Sequence, residues 1–215
     1  MRGKFITFEG PEGSGKSTHI RKLAQFLEEQ GVDLVRTREP GGTPLNEKIR
    51  ELIQYGEDCE VPCDRCELLL FLACRAQHVD EFIVPELEAG RWVLCDRFHD
   101  STFAYQGCGR GFEKEQIKQL NDFAVNGLNP DLTLLIDVSP ETSRQRLKNR
   151  HISGIAAPDR IEKEKADFHV RLRNGFLELA EMEPDRFYVV DAERDCNLVQ
   201  SDIRNIVSER FLTLS

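Results

Sequence analysis

The segment Lys4–Thr18, KFITFEGPEGSGKST, joins a short apolar run to Gly10, Gly13 and Gly15, followed by Lys16, Ser17 and Thr18. Glycine reaches backbone angles closed to other residues, so this stretch can bend until successive N–H groups turn inward. Gly10-x-x-x-x-Gly15-Lys16-Ser17 has the spacing of a phosphate-binding P-loop. It also has the required frame, with a strand pattern before it and a helix pattern after it. The inward N–H groups and the helix N-terminus form a cradle for phosphate. Lys16 then reaches the outer phosphates of a nucleoside triphosphate, and Ser17 offers an oxygen to Mg²⁺.

The remaining chain predicts what surrounds this loop. Residues 4–8, 32–36, 92–96, 131–138 and 186–192 are apolar runs that read as buried strands. Ile20, Leu23, Ala24 and Leu27 repeat at helical spacing, and Gly31 closes that helix. Residues 64–89 read as one long helix ending near Gly90, and helices are expected over 113–126, 140–149, 159–183 and 195–213. Five strands alternating with helices predict an α/β fold, a mainly parallel five-stranded sheet covered by helices on both faces. With 215 residues, no repeats and no linker, one domain over residues 1–215 is expected. Residues 151–158, HISGIAAP, interrupt two helical patterns and are read as a mobile flap.

Charge and cysteine usage narrow the function. A net charge of -9 argues against a long nucleic-acid footprint but leaves room for a local basic pocket. No apolar run approaches the roughly 20 residues of a membrane span, and the N-terminus lacks the pattern of a signal peptide. The seven cysteines are odd in number and scattered, which reads as reduced thiols in a cytoplasmic protein. Cys59, Cys63 and Cys66 are near enough in sequence to share a metal. A structural zinc takes four ligands, however, and no second pair follows, so they read as thiols at a helix start.

A GTPase would carry an Asn-Lys-x-Asp motif after a late strand, and none is present. Phosphoryl transfer instead needs a second pocket for an acceptor. Residues 37–43 (TREPGGT), 71–75 (FLACR), 96–98 (DRF) and 101–107 (STFAYQG) would all stand at the carboxyl ends of strands or face them, where ligands bind in parallel sheets. Phe71 and Arg75 are four apart and share a helix face. Such a pair can stack a base and hydrogen-bond its carbonyl edge. Core packing among Leu68, Leu69, Leu70 and Leu72 is the plainer reading of Phe71, but a charged Arg75 is out of place in a leucine-rich helix and tips the balance. Asp96 can hold Mg²⁺ or its waters, and Arg97 can hold phosphate.

FEGPEGSGKST, TREPGGTPLNEKIR, LLLFLACRAQH, LCDRFHDSTFAYQG and DRIE together resemble the bacterial type of thymidylate kinase, over Lys4 to about Phe211. The resemblance implies a three-layer P-loop kinase fold and transfer of the ATP γ-phosphoryl group to dTMP, with Mg²⁺. It implies that Gly10, Pro11, Glu12, Gly13, Ser14, Gly15, Lys16, Ser17 and Thr18 hold ATP. Phe71 would stack on thymine, Arg75 would bond its carbonyl, and Ser101, Thr102 and Gln106 would lie near the acceptor. Tyr105 would press against the sugar where a 2′-hydroxyl would project. Arg97 and Arg38 would hold the dTMP phosphate. Glu9 would sit near sugar and metal, and Glu39 and Asp96 would orient acceptor and Mg²⁺. The P-loop has no arginine among Pro11–Ser14, so catalytic charge is expected from a lid at about 148–160, with Arg144, Arg146, Arg150 and Arg160 as candidates and Arg146 and Arg150 favoured. A homodimer is also implied. The competing readings are a kinase for another base and a nucleotide-binding module without turnover.

Overall fold

The computed structural model describes residues 2–54, 61–152, 160–162 and 164–212. Five strands form one sheet: β1 (Phe5–Glu9), β2 (Leu34–Arg38), β3 (Trp92–Asp96), β4 (Leu132–Asp137) and β5 (Phe187–Asp191). Their order is β2-β3-β1-β4-β5, and every pairing is parallel. β1 is central and buried along its whole length, as a continuous apolar run in a parallel sheet must be. Its neighbours β3 and β4 leave on opposite sides, so the crevice beyond its carboxyl end is a topological switch point.

Alternation along β1 sorts the two faces. Ile6 and Phe8 pack with Leu23 and Leu27 of α1 (Lys16–Glu29) and with Ile203 and Val207 of α9 (Cys196–Phe211). Phe5 faces the other way, into Val79, Ile83, Leu87 and Phe98. Gly31 has φ +79° just beyond α1 and closes it. The turn holds Val32 as well, whose N–H bonds Leu27 O. That is why β2 begins two residues later than its apolar run suggests.

The helix expected over 64–89 is continuous but not uniform. It runs as α3 (Asp64–His78), a π-helical turn over Val79–Ile83, and α4 (Val84–Glu88). Pro85 lacks an N–H and crowds the preceding turn, and the wider turn, with Val84 N–H bonded to Val79 O, accommodates it. Two helical elements went unseen in the sequence. α2 (Pro44–Gln54) starts on a proline, as first turns favour. α5 (His99–Thr102) runs into a second π-helical turn over Phe103–Gly109. α6 (Lys114–Val125) and α7 (Pro140–Ile152) lie close to expectation, whereas α8 (Ala166–Met182) starts seven residues later than 159. α8 packs tightly on the 103–109 turn. A Cβ on Gly175 would lie 2.7 Å from Cys108 Sγ. Most of the flap expected at 151–158 lies outside the described residues, as does Cys59. Cys63 and Cys66 are exposed free thiols, and no metal-holding cluster occurs among the described residues.

Candidate active site

The P-loop leaves β1 at Gly10, whose φ is +130° and whose absent Cβ would lie 2.5 Å from Ile136 O. Any larger residue there would push the loop off β4. Lys16 folds back into the loop, its Nζ donating to Gly10 O (3.0 Å) and Pro11 O (2.8 Å). Burial, and then the nearby Arg97 guanidinium, push its pKa down to about 8. Ser17 Oγ donates to Asp96 Oδ2 at 2.8 Å. A hydroxyl and a carboxylate oxygen side by side suit a hard divalent cation that keeps other positions for water and phosphate.

A cleft of about 670 Å³ opens over this loop. Its lining combines Glu12, Lys16 and Ser17 with Arg38, Glu39, Phe71 and Arg75, then Asp96, Arg97, Ser101, Thr102, Tyr105 and Gln106. So the segments that the sequence placed around two ligands do converge on one cavity. Gly13, Gly15 and Thr18 line it too, whereas Gly10, Pro11 and Ser14 lie behind.

Arg97 takes φ +74°, unusual for a residue with a side chain. That angle swings it back across the P-loop. Nη1 donates to Gly10 O (2.9 Å) and Ser101 Oγ (3.2 Å), and Nη2 to Glu12 Oε1 (2.8 Å). The guanidinium lies 4.8 Å from the centre of the Tyr105 ring. The Tyr105 hydroxyl in turn donates to Glu12 at 2.7 Å. Burial alone would raise the Glu12 pKa, but Arg97, Lys16 and the tyrosine hydroxyl outweigh it and hold this carboxylate below its usual range.

Arg75 is fully buried and every nitrogen of its guanidinium has a protein acceptor. Nε and Nη2 reach Glu39 Oε2 (2.9 and 2.8 Å), Nη1 reaches Thr102 Oγ1 (2.7 Å) and Asn121 Oδ1 (2.9 Å), and Nη2 also reaches Phe98 O (3.0 Å). A base carbonyl arriving here would share one of these donors. His78 Nδ1 holds the other Glu39 oxygen at 3.1 Å. Burial pushes Glu39 upward, yet Arg75 and His78 prevail and keep its pKa low.

Glu9 does not line the cleft. It is completely buried, accepting from Phe98 N (2.7 Å) and Ser101 Oγ (2.6 Å), so it shapes the turn after β3 from behind. Burial, then the charge of Asp100, raise its pKa to about 8. The four lid arginines separate. Arg146 and Arg150, on one face of α7, line the cleft. Arg146 Nη2 donates to Ala192 O at 2.8 Å and Arg150 pairs with Glu162. Arg144 is exposed, and Arg160 pairs with Glu67 instead. Two charged lining residues were missed. Arg50 on α2 donates to Pro40 O at 2.8 Å. Glu162 accepts from Arg150. Reading Pro44 as a helix start would have put Arg50 on the wall, and Glu162 stands in the DRIE motif without having been given a role.

Known proteins resemble this chain over most of its length. Residues 8–203 match the family model described as thymidylate kinase. A thymidylate kinase from Carboxydothermus hydrogenoformans is 51% identical over 194 residues, spanning 90% of this chain and 91% of that protein. One from Chromobacterium violaceum is 48% identical over 202 residues, 94% and 92% of the two chains. The crystal structure of thymidylate kinase from Ehrlichia chaffeensis superposes with a TM-score of 0.77 at 37% identity, over 97% of this chain and 99% of that one.

Proposed function

The chain belongs to the thymidylate kinase family, and we infer that its cleft is where the γ-phosphoryl group of ATP passes to dTMP, giving dTDP and ADP. The observation that carries this reading is the meeting of the Lys16–Ser17 end of the P-loop with Arg97, Phe71 and Arg75 in one cavity. Such a cavity can hold two nucleotides with their phosphates facing.

Phosphoryl transfer asks for in-line placement and for cancellation of charge on the moving group. The dTMP phosphate is already a competent nucleophile, so no general base is required. In this reading Lys16 leaves the loop carbonyls for the ATP phosphates, Arg97, Arg38 and Arg50 hold the acceptor phosphate, and Arg146 and Arg150 supply charge from α7. Phe71 stacks on the thymine, and Arg75, Thr102 and Gln106 face its polar edge. Mg²⁺, held by Ser17 and Asp96, would neutralise charge on the phosphates. Glu9 and Glu39 keep the surrounding side chains in place. Arg146, Leu147 and Arg150 of α7, with Ile161 and Glu162, border the cleft and would help to keep water out.

Assaying ADP release with dTMP, dUMP, UMP, CMP, AMP and GMP separates the alternatives. Preferred turnover of dTMP is expected. Preference for another base would make the chain a different nucleotide kinase, and no turnover at all would make it a binding module. Tyr105 is nearly buried yet borders the cleft. Tyr105→Ala is expected to lower the preference for dTMP over its ribose counterpart by about 10-fold in kcat/KM; an unaltered ratio would remove Tyr105 from sugar selection.

The pKa of Lys16 gives a second handle. It is lowered to about 8, and phosphate oxygens beside it would raise it again. ADP binding at about pH 8.5 is therefore expected to take up a proton, and at about pH 6.5 to take up almost none from this group. Calorimetry in two buffers of different ionisation heat reads the uptake, and Lys16→Met should abolish it.

No helix among the described residues is long and apolar enough to cross a membrane. A cytoplasmic location fits the unpaired thiols. A homodimer fits Leu69, 58% exposed on α3 while Leu68 and Leu72 are buried; sedimentation velocity would read it.

A further inference from the structure

Glu67 has no part in the function described so far, yet it is completely buried on α3 beside the cleft. It lies eight residues before Arg75 and two turns from it. Gln106 donates to it, Nε2 to Oε1 at 3.0 Å. Two guanidiniums also reach Glu67. Arg110 approaches through Nε and Nη2, both at 3.4 Å, and Arg160 bonds Oε2. Two cations around one buried carboxyl favour its ionised form. An ionised carboxylate only accepts hydrogen bonds.

That restriction fixes the direction of the Gln106 amide. The NH₂ end must point to Glu67, since the amide carbonyl would repel it. Gln106 is almost wholly buried but borders the cleft, and Arg75 and Thr102 border the same wall. With one N–H bonded to Glu67 the amide cannot turn over, and the end turned away from Glu67 is the carbonyl oxygen, an acceptor. We propose that Glu67 is a positioning residue for base selection: by locking the Gln106 amide it presents an acceptor, which suits a pyrimidine with a protonated N3 and disfavours one whose N3 is a bare lone pair. Thymine and uracil are of the first kind and cytosine is of the second. The inference rests on the reading that the base lies beside Phe71 and Arg75.

The backbone that carries the side chain is held as well. Gln106 sits in the π-helical turn over Phe103–Gly109, where Phe112 N–H bonds the Gln106 main-chain carbonyl at 3.1 Å. Neither the turn nor the side chain has an evident way to rotate the amide without losing Glu67. Replacing the carboxylate by an amide removes the restriction, because an amide can donate or accept and the two side chains can then pair either way round.

The experiment compares kcat/KM for dTMP, dUMP and dCMP in the wild-type protein and in Glu67→Gln. The dTMP:dCMP ratio is expected to fall by about 10-fold or more in the variant, mostly through KM, with the KM for ATP unchanged. Glu67→Asp, which keeps an acceptor-only group, should retain more of the ratio than Glu67→Gln. A purely structural role would lower activity on all acceptors together and leave the ratio where it was, and that result overturns the proposal. Should Glu67→Gln fail to fold, NMR of the wild-type protein decides. The Gln106 side-chain NH₂ should stay bonded to Glu67 in the dTMP complex, and an amide that turns its NH₂ to the base overturns the proposal. If the wild-type protein does not phosphorylate dTMP, the function falls and this inference with it. If it does and the ratio is unmoved, only the inference falls.

Discussion

Lys16→Ala is expected to lower kcat by roughly 10²–10³-fold, the usual loss when one charge-stabilising donor is taken from a transferring group, while the protein stays folded. The ammonium rests on Gly10 O and Pro11 O. Those carbonyls belong to the loop that would wrap the phosphates, so the same short movement that frees Lys16 frees the cradle. Its low pKa of about 8 has burial as the first cause, which means that the folded state is working against this charge. Removing it should therefore leave the melting temperature unchanged or slightly higher. Steady-state kinetics and thermal unfolding on the same sample check both halves. Near-normal turnover would take the P-loop out of the mechanism, and a collapse in melting temperature would show that lysine to be structural.

Arg75→Ala should act in the opposite way, through stability. Arg75 and Glu39 form an ion pair with side-chain exposures of 2% and 4%. Deleting one member of such a pair strands the other charge and costs about 3–5 kcal/mol. For a chain of this size that lowers the melting temperature by roughly 10 °C. Glu39 would keep only His78, and Thr102, Asn121 and the Phe98 carbonyl would each lose a donor. Adding Glu39→Gln to Arg75→Ala removes the stranded charge and should restore part of the loss, a coupling that a double-mutant cycle reads directly. If the two substitutions simply add, Glu39 and Arg75 are not energetically linked. The dTMP KM should rise in the single variant, because Thr102 is no longer fixed at the cleft wall.

Most of the frame could be read from local signals. The glycine spacing of residues 10–15 and the apolar runs of β1, β3 and β4 need no distant partner to be recognised. β2 was displaced because Val32 is apolar yet belongs to the turn closing α1. The helical turn over 99–109 was invisible for a different reason. It carries Gly107 and Gly109 and has no amphipathic repeat. It is held largely by α8, where Gly175 permits contact with Cys108. Four-residue spacing had already paired Arg146 with Arg150 among the lid arginines. The orientation of α7 turns that face to the cleft and leaves Arg144 outside.

The sequence by itself determined the phosphate loop, the parallel sheet and the family, because backbone freedom at glycine and burial of apolar runs act over a few residues. The tertiary structure alone decided which charges meet. Arg97 reaches Glu12 across 85 positions and Tyr105 reaches it across 93, and Glu9 turns out to support the site from behind rather than line it. Such contacts depend on strand order and on a left-handed turn at Arg97, and neither leaves a mark in the spacing of residues along the chain.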